Sequence, residues 1–248
     1  MRFCEGLLRL EPLIAKKFEM KGSEKSRQSL LDVTMTLNGV LLWIRNNYVR
    51  ATSKIRKRKI NKTDFTIISN NCWSGIIYES YGLPKQSPTV GMFFMAEEYL
   101  KFVSNLKYYV EDCELCFIDP EQSRHKKFYK KNKKFGSYLI GRLDDVEIAM
   151  LHFHSQEEAI LKWKRRCERI NWDHMIVKMN DQNGCKKEYA EKFMKLPFKN
   201  KIFFTVRNWS DIKGITILNS KNKDCCGMFD EPFGSSKKMN INQLINKI

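Results

Sequence analysis

The sequence predicts an α/β fold: a three-layer mixed sheet of about six or seven strands, with an N-terminal helical extension. Three observations carry this. Short runs rich in β-branched and aromatic residues alternate with segments of helical period. Several runs are apolar almost throughout, as strands covered on both faces are. The chain has 248 residues and is 42% hydrophobic, enough for a large core and unlike a disordered composition. The organisation read from this is a helical, basic extension over 1–59 and an α/β domain over 60–248.

In the extension, residues 1–22 read as a short helix around Leu7, Leu10 and Ile14, interrupted at Gly22-Ser23. A second helix starts at Ser29. Leu30, Val33, Leu37, Leu41, Ile44 and Tyr48 recur every three or four residues and form one stripe. Asp32, Asn38 and Arg45 disqualify it as a bilayer span, which needs about 20 apolar residues. A dense basic tract follows from Lys54 to Lys62. The formal charge is +17, and residues 1–62 hold fifteen Lys/Arg against five Asp/Glu, so most of the excess lies there. An apolar helix followed by a basic tract fits an anionic membrane surface, contacted through residues 30–62. The alternative is a helix packed on protein and followed by a solvated linker.

The domain starts with a strand, Phe65–Ser69. A helix over Gly75–Tyr81 stops at Gly82-Leu-Pro84. Val90–Met95 reads as a strand and Ala96–Tyr109 as a helix, with Tyr99, Phe102, Val103 and Leu106 on one side. Leu115–Ile118 is a short strand, 121–137 a Lys-rich loop, and Tyr138–Leu143 with Val146–His154 a hairpin. Ser155-Gln-Glu-Glu158 is a capping box opening a helix to about Asn171. Its expected buried face is Ala159, Ile160, Trp163, Cys167 and Ile170. His174–Asn180, Ile202–Val206 and Ile215–Leu218 are strands, and Lys187–Lys195 is a helix ended by Leu196-Pro197. The apolar content of 65–69 and 147–153 predicts central positions for both.

The chemistry centres on Cys72. It follows a strand and opens a helix, where a thiol pKa is lowered and where open α/β sheets hold ligands. His152 and His154 lie two residues apart, on one side of the predicted strand. His152 is placed to orient or deprotonate a nucleophile, so Cys72 and His152 are the candidate catalytic pair. A buried small hydrophobe at 72 and a hydrogen-bonded histidine at 152 are the plainer alternatives. Asn71 and Trp73 flank the thiol. Arg169 shares a helix face with Arg165, and arginine forks suit phosphate or carboxylate. Asp144-Asp145 matches the acidic pair of nucleotide-sugar glycosyltransferases, a short and common pattern. Asp181-Gln-Asn-Gly184 opens like a calcium loop that is never completed.

The eight cysteines have no scaffold spacing, and no leader-like apolar run precedes them. Reduced thiols and a cytoplasmic location, peripheral on the inner membrane face, are expected. Cys113 and Cys116 have half-knuckle spacing, but Cys225-Cys226 supplies no second half, so no metal site is expected. No P-loop or Gly-rich dinucleotide motif occurs, and the sequence names no cofactor. Nucleic acid is disfavoured, because the basic tracts lack interleaved stacking rings beyond Phe128-Tyr129.

The set FTIISNNCWSG, GLPKQSPTVGMFF, GRLDDVEIAMLHFHSQEEAILKWKRRCERIN and LPFKNKIFFTV resembles a bacterial family known as domain of unknown function nineteen-nineteen. Its members often carry the label exopolysaccharide biosynthesis protein. The resemblance spans about residues 60–220. It implies a role in making or decorating surface polysaccharide, and points to Asn71, Cys72, Trp73, Gly75, Pro88, Thr89, Asp145, His152, Trp163, Arg166, Arg169 and Asn171. The expected function is group transfer, of an acyl or glycosyl group, on a sugar or lipid-linked sugar. Asn71, Trp73, Asp145, His154, Arg166 and Arg169 are the expected substrate contacts. A looser likeness joins Cys72-Trp73 and His152 to papain-like cysteine enzymes. The competing function is a non-catalytic binding or assembly module of the polysaccharide machinery.

Overall fold

Among the described residues, seven strands divide between two sheets. The computed structural model that shows this describes residues 40, 43, 44, 46–131, 135–227 and 230–248. Strands β1 (Thr66–Ser69), β5 (Met175–Asn180), β6 (Lys201–Thr205) and β7 (Thr216–Ile217) form a parallel sheet in the order β1-β5-β6-β7. Strands β2 (Leu115–Ile118), β3 (Leu139–Leu143) and β4 (Val146–Met150) form an antiparallel sheet in that order. The helices are α1 (Ser53–Lys57), α2 (Trp73–Ser80), α3 (Ala96–Ser104), α4 (Leu106–Glu111), α5 (Lys126–Tyr129), α6 (Gln156–Cys167), α7 (Lys187–Lys195) and α8 (Ile241–Asn246). Both sheets and every cavity discussed below belong to the unit Lys54–Ile248.

Side chains alternate across a strand, so the apolar runs of the parallel sheet feed two cores. Ile68, Met175, Val177, Met179 and Phe203 pack with α3, α6, α7 and the antiparallel sheet. Phe65, Ile67, Ile176, Ile202 and Phe204 pack with Trp73, Ile77 and Tyr78 of α2 and with Ile241 and Ile245 of α8. A smaller cluster of Met95, Tyr129, Tyr138, Ile140 and Ala149 is joined by Phe93 and Leu151.

The strands expected at the centre, β1 and β4, end their sheets, yet every residue in both is buried. Other groups seal their free edges. The Tyr78 hydroxyl accepts from Ile67 N at 3.0 Å and donates to Phe65 O at 2.9 Å, and Thr89 Oγ1 accepts from Ser69 N at 3.1 Å. On β4, Phe93 exchanges two 2.9 Å backbone bonds with Ala149, and Glu98 Oε2 accepts from Glu147 N at 3.1 Å. Buried backbone groups need such partners, whether or not a strand supplies them.

Other expectations change locally. Val90–Met95 is not a strand: residues 88–91 turn, Gly91 has φ +90, and only Phe93 bridges to Ala149. The helix predicted over 96–109 breaks at Asn105, with φ −134 and ψ 44. Strand β4 stops at Met150, because its partner β3 begins at Leu139, the residue opposite. His152 and His154 therefore sit in a turn rather than on a strand. Ser155 caps α6 as expected, accepting from Glu158 N at 3.2 Å, but Glu158 reaches back to His154 N at 2.7 Å. Arg166 joins Ala159 and Trp163 on the buried face of α6, which ends at Cys167. The helix expected over 1–22 and most of the one from Ser29 lie outside the described residues. Among the described residues, no helix is long and apolar enough to cross a membrane.

Candidate functional site

Strands β1 and β5 are parallel neighbours, so the segments leaving their carboxyl ends lie side by side, the usual ligand position of an open α/β sheet. These are Asn70-Asn71-Cys72 after β1 and Asp181-Gln182-Asn183 after β5. Asn183 adopts φ 55; its amide donates to Phe94 O and its carbonyl accepts from Ala96 N, both at 2.9 Å. The C-terminal segment crosses over this corner. It is tied down by Asp181, which accepts from Cys226 N at 2.6 Å, from Thr205 Oγ1 at 2.7 Å and from Val206 N at 2.9 Å. On the other side the Trp73 indole donates to Pro232 O at 2.8 Å.

Between these anchors lies a buried ion pair, Lys178–Glu231. The Lys178 ammonium also donates to Asn71 Oδ1 at 2.9 Å and to Asn70 Oδ1 at 3.3 Å, and it lies over the Trp73 and Phe204 rings. Glu231 additionally accepts from Asn180 Nδ2 at 2.8 Å and from Asn71 Nδ2 at 3.1 Å. Asn71 and Asn180 both donate to Gln182 Oε1, at 3.1 and 3.0 Å. Desolvation pushes the Lys178 pKa down, and the Glu231 carboxylate opposes it. A buried pair is weak evidence of stability, since apolar replacements are often neutral or better. Four amides and a pair held at a strand-end corner point instead to a preorganised polar surface.

That surface floors a cavity of about 420 Å³. Asn71, Gln182, Asn183 and Glu231 offer polar atoms. Ile76, Phe93, Phe128 and Leu151 supply apolar wall, Lys131 a cation, and Cys72 a thiol. Directional amides and a carboxylate against rings and aliphatic groups suit a ligand with many hydroxyls and an apolar face.

Residues 44–244 match the family described as Domain of unknown function (DUF1919). The chain belongs to that family. An uncharacterized protein of Haemophilus influenzae is 31% identical over 167 residues, which cover 67% of this chain and 74% of that protein.

The family motifs divide between the cavity and the frame around it. Asn71, Cys72 and Trp73 come together at the cavity. Thr89 seals the edge of β1. Asn171 clasps the approach to β1, its backbone N–H donating to Thr66 Oγ1 at 2.9 Å and its side chain to Asp64 at 2.9 Å. Arg166 is buried, donates to Val90 O at 2.8 Å and lies over the Phe153 ring. Desolvation lowers its pKa, and no cavity described here is lined by it. Arg169 is exposed. Asp145 forms the β3–β4 turn, pairs with Lys101 at 2.9 Å and accepts from the Tyr109 hydroxyl at 2.7 Å. It stands six residues along β4 from Leu151, about 20 Å from the cavity at strand rise.

His152 is exposed; its neighbour Leu151 lines the cavity, and His152 is not among the lining residues. His154 lines a second cavity of about 430 Å³ with Tyr138, Phe153 and Gln156. Lys178, Glu231 and Lys85 act electrostatically on Cys72. Burial pushes this thiol up, against the lowering expected at a helix start, because desolvation outweighs the lysines. Lys178, Asn180 and Glu231 were not singled out from the sequence, and Gln182 only within the calcium-loop-like opening 181–184. One signal was present: a lysine inside the apolar strand MIVKMN must find a buried counter-charge.

Proposed function

We propose that this family member binds a sugar, or the sugar of a lipid-linked precursor, in the cavity at the ends of β1 and β5, and acts on it by group transfer in surface-polysaccharide biosynthesis. The observation that carries this is the floor of the cavity, where Glu231 and three amides face aromatic and aliphatic wall. Support for a proton-transfer role goes to Glu231, a carboxylate lining the cavity, able to accept a proton from a bound hydroxyl. Cys72 remains the candidate nucleophile toward an acyl donor.

A second reading is a binding or assembly module without chemistry. Two observations favour it: burial raises the Cys72 thiol, and the Lys178–Glu231 network is closed on itself. We also propose peripheral contact with an anionic membrane through residues 30–62. Exposed Trp43 and Ile55 and the basic residues of α1 support it. Arg56 and Lys62 are already engaged, by Ser80 O and by Ile248 O with the His174 ring respectively.

Saturation-transfer NMR with neutral and phosphorylated hexoses tests the sugar site. Transfer to ring protons, weakened by Phe128→Ala and by Gln182→Ala, is the expected result. No transfer from any sugar, or transfer indifferent to both substitutions, overturns it. Incubating a bound sugar with acyl-thioester and nucleotide-sugar donors, followed by mass analysis, separates enzyme from module.

A further inference from the structure

A second cluster of charge lies where α3, α5 and β4 meet. Glu97 and Glu98 stand in the first turn of α3, and His125 immediately precedes α5. His125 Nε2 is 2.7 Å from Glu98 Oε1 and 3.7 Å from Glu97 Oε1, and one ligand atom from each of the three lies within 4.8 Å of the others. Glu98 and His125 are buried; Glu97 opens to solvent.

Glu147 is buried beside them. Arg124 Nε lies 3.3 Å from Glu98 and 3.2 Å from Glu147. Two carboxylates, Glu98 and Glu147, thus share one guanidinium, and a third, Glu97, stands exposed beside His125. Two of these carboxylates are removed from water, where an uncompensated charge is costly. A buried group without a partner stands beside this cluster. The Tyr129 hydroxyl is fully buried without a hydrogen-bond partner, its ring is 6.1 Å from that of His125, and Glu147 and Glu98 are among the charges acting on it.

We propose that Glu97, Glu98 and His125 bind a divalent transition cation, with ligand positions left over for water. One imidazole nitrogen and two carboxylates suit manganese or zinc. The charge of such an ion offsets the excess of carboxylates over the one guanidinium. The ion would fasten α5, the segment that brings Phe128 and Lys131 to the sugar cavity, onto α3. This site stands independently of the sugar reading.

Manganese is the better probe, because the cysteines of the chain compete for zinc. Full-length protein, stripped with chelator, is titrated with Mn2+ by calorimetry, and the bound ion is examined by pulsed electron paramagnetic resonance. One saturable equivalent with a nitrogen coupling is expected. Glu97→Gln, on an exposed side chain that folding tolerates, should weaken binding by about tenfold or more. His125→Gln should remove the nitrogen coupling. No saturable binding up to about 1 mM overturns the proposal, and the cluster is then a hydrogen-bond network closed by Arg124 and a His125 N–H. Binding unaffected by either variant overturns it equally, since the ion is then elsewhere.

Discussion

Replacing Lys178 by methionine tests the buried pair most directly. The ammonium donates to Glu231, Asn71 and Asn70, so its loss strands a carboxylate that keeps only the amides of Asn180 and Asn71. Breaking a buried pair by removing one partner costs about 3–5 kcal/mol. Glu231→Gln keeps the shape and strands the cation instead, at a similar cost near neutral pH. That variant has a further signature. Desolvation already lowers the Lys178 pKa, and losing the carboxylate lowers it more. The unfolded chain then holds more protons than the folded one between the depressed value and the ordinary lysine value. Stability of Glu231→Gln therefore rises with pH through that window, with the proton leaving Lys178. The double variant Lys178→Met with Glu231→Gln buries no charge and should lose less than either single variant, giving a coupling of at least about 3 kcal/mol. Urea unfolding at about pH 7 and about pH 9.5, analysed by linear extrapolation, measures all four corners. Single losses under about 1 kcal/mol that simply add would refute the account, because they would mean that the pair is hydrated.

Four further outcomes are expected. Tyr78→Phe strands Ile67 N and Phe65 O on the edge of β1 and should cost about 2–4 kcal/mol in chemical denaturation. Ser155→Ala removes the cap of α6 and should cost about 1 kcal/mol by the same measurement. Burial raises the Cys185 thiol from 9.0 to about 12, so its stabilising contribution is whole below pH 9 and lost as pH climbs toward 12. The stability difference between wild type and Cys185→Ala should shrink by about 2 kcal/mol from pH 9 to pH 11. Cys72 should react slowly with iodoacetamide near neutral pH in the folded protein, and Glu231→Gln should speed it by removing a negative neighbour.

The strands were legible because their apolar runs are long and their flanks polar. Leu115–Ile118 and Lys187–Lys195 coincide with β2 and α7. The segment 90–95 misled because its residues have high β-propensity while Gly91 turns the backbone away from extension. The site was half legible. Asn71, Cys72 and Trp73 are local, and strand-to-helix elbows announce themselves. Glu231 lies 159 residues after Cys72 in an irregular segment without a motif, so only the fold brings it in. Asp145 and Arg166 were drawn toward the site by their chemistry. In the folded chain the first serves a turn and the second holds a loop.

The seal on β1 has one more consequence. An unpaired strand edge is a template on which a second molecule can add a strand, the first step of domain swapping and aggregation. Tyr78 occupies that template with a phenol anchored to its own helix, and Thr89 blocks the next position with a hydroxyl. Neither group offers a further row of N–H and C=O groups, so the parallel sheet ends there. Crowding many copies together should leave this end of the sheet inert, with β1 closed to a stranger's strand for as long as α2 stays folded.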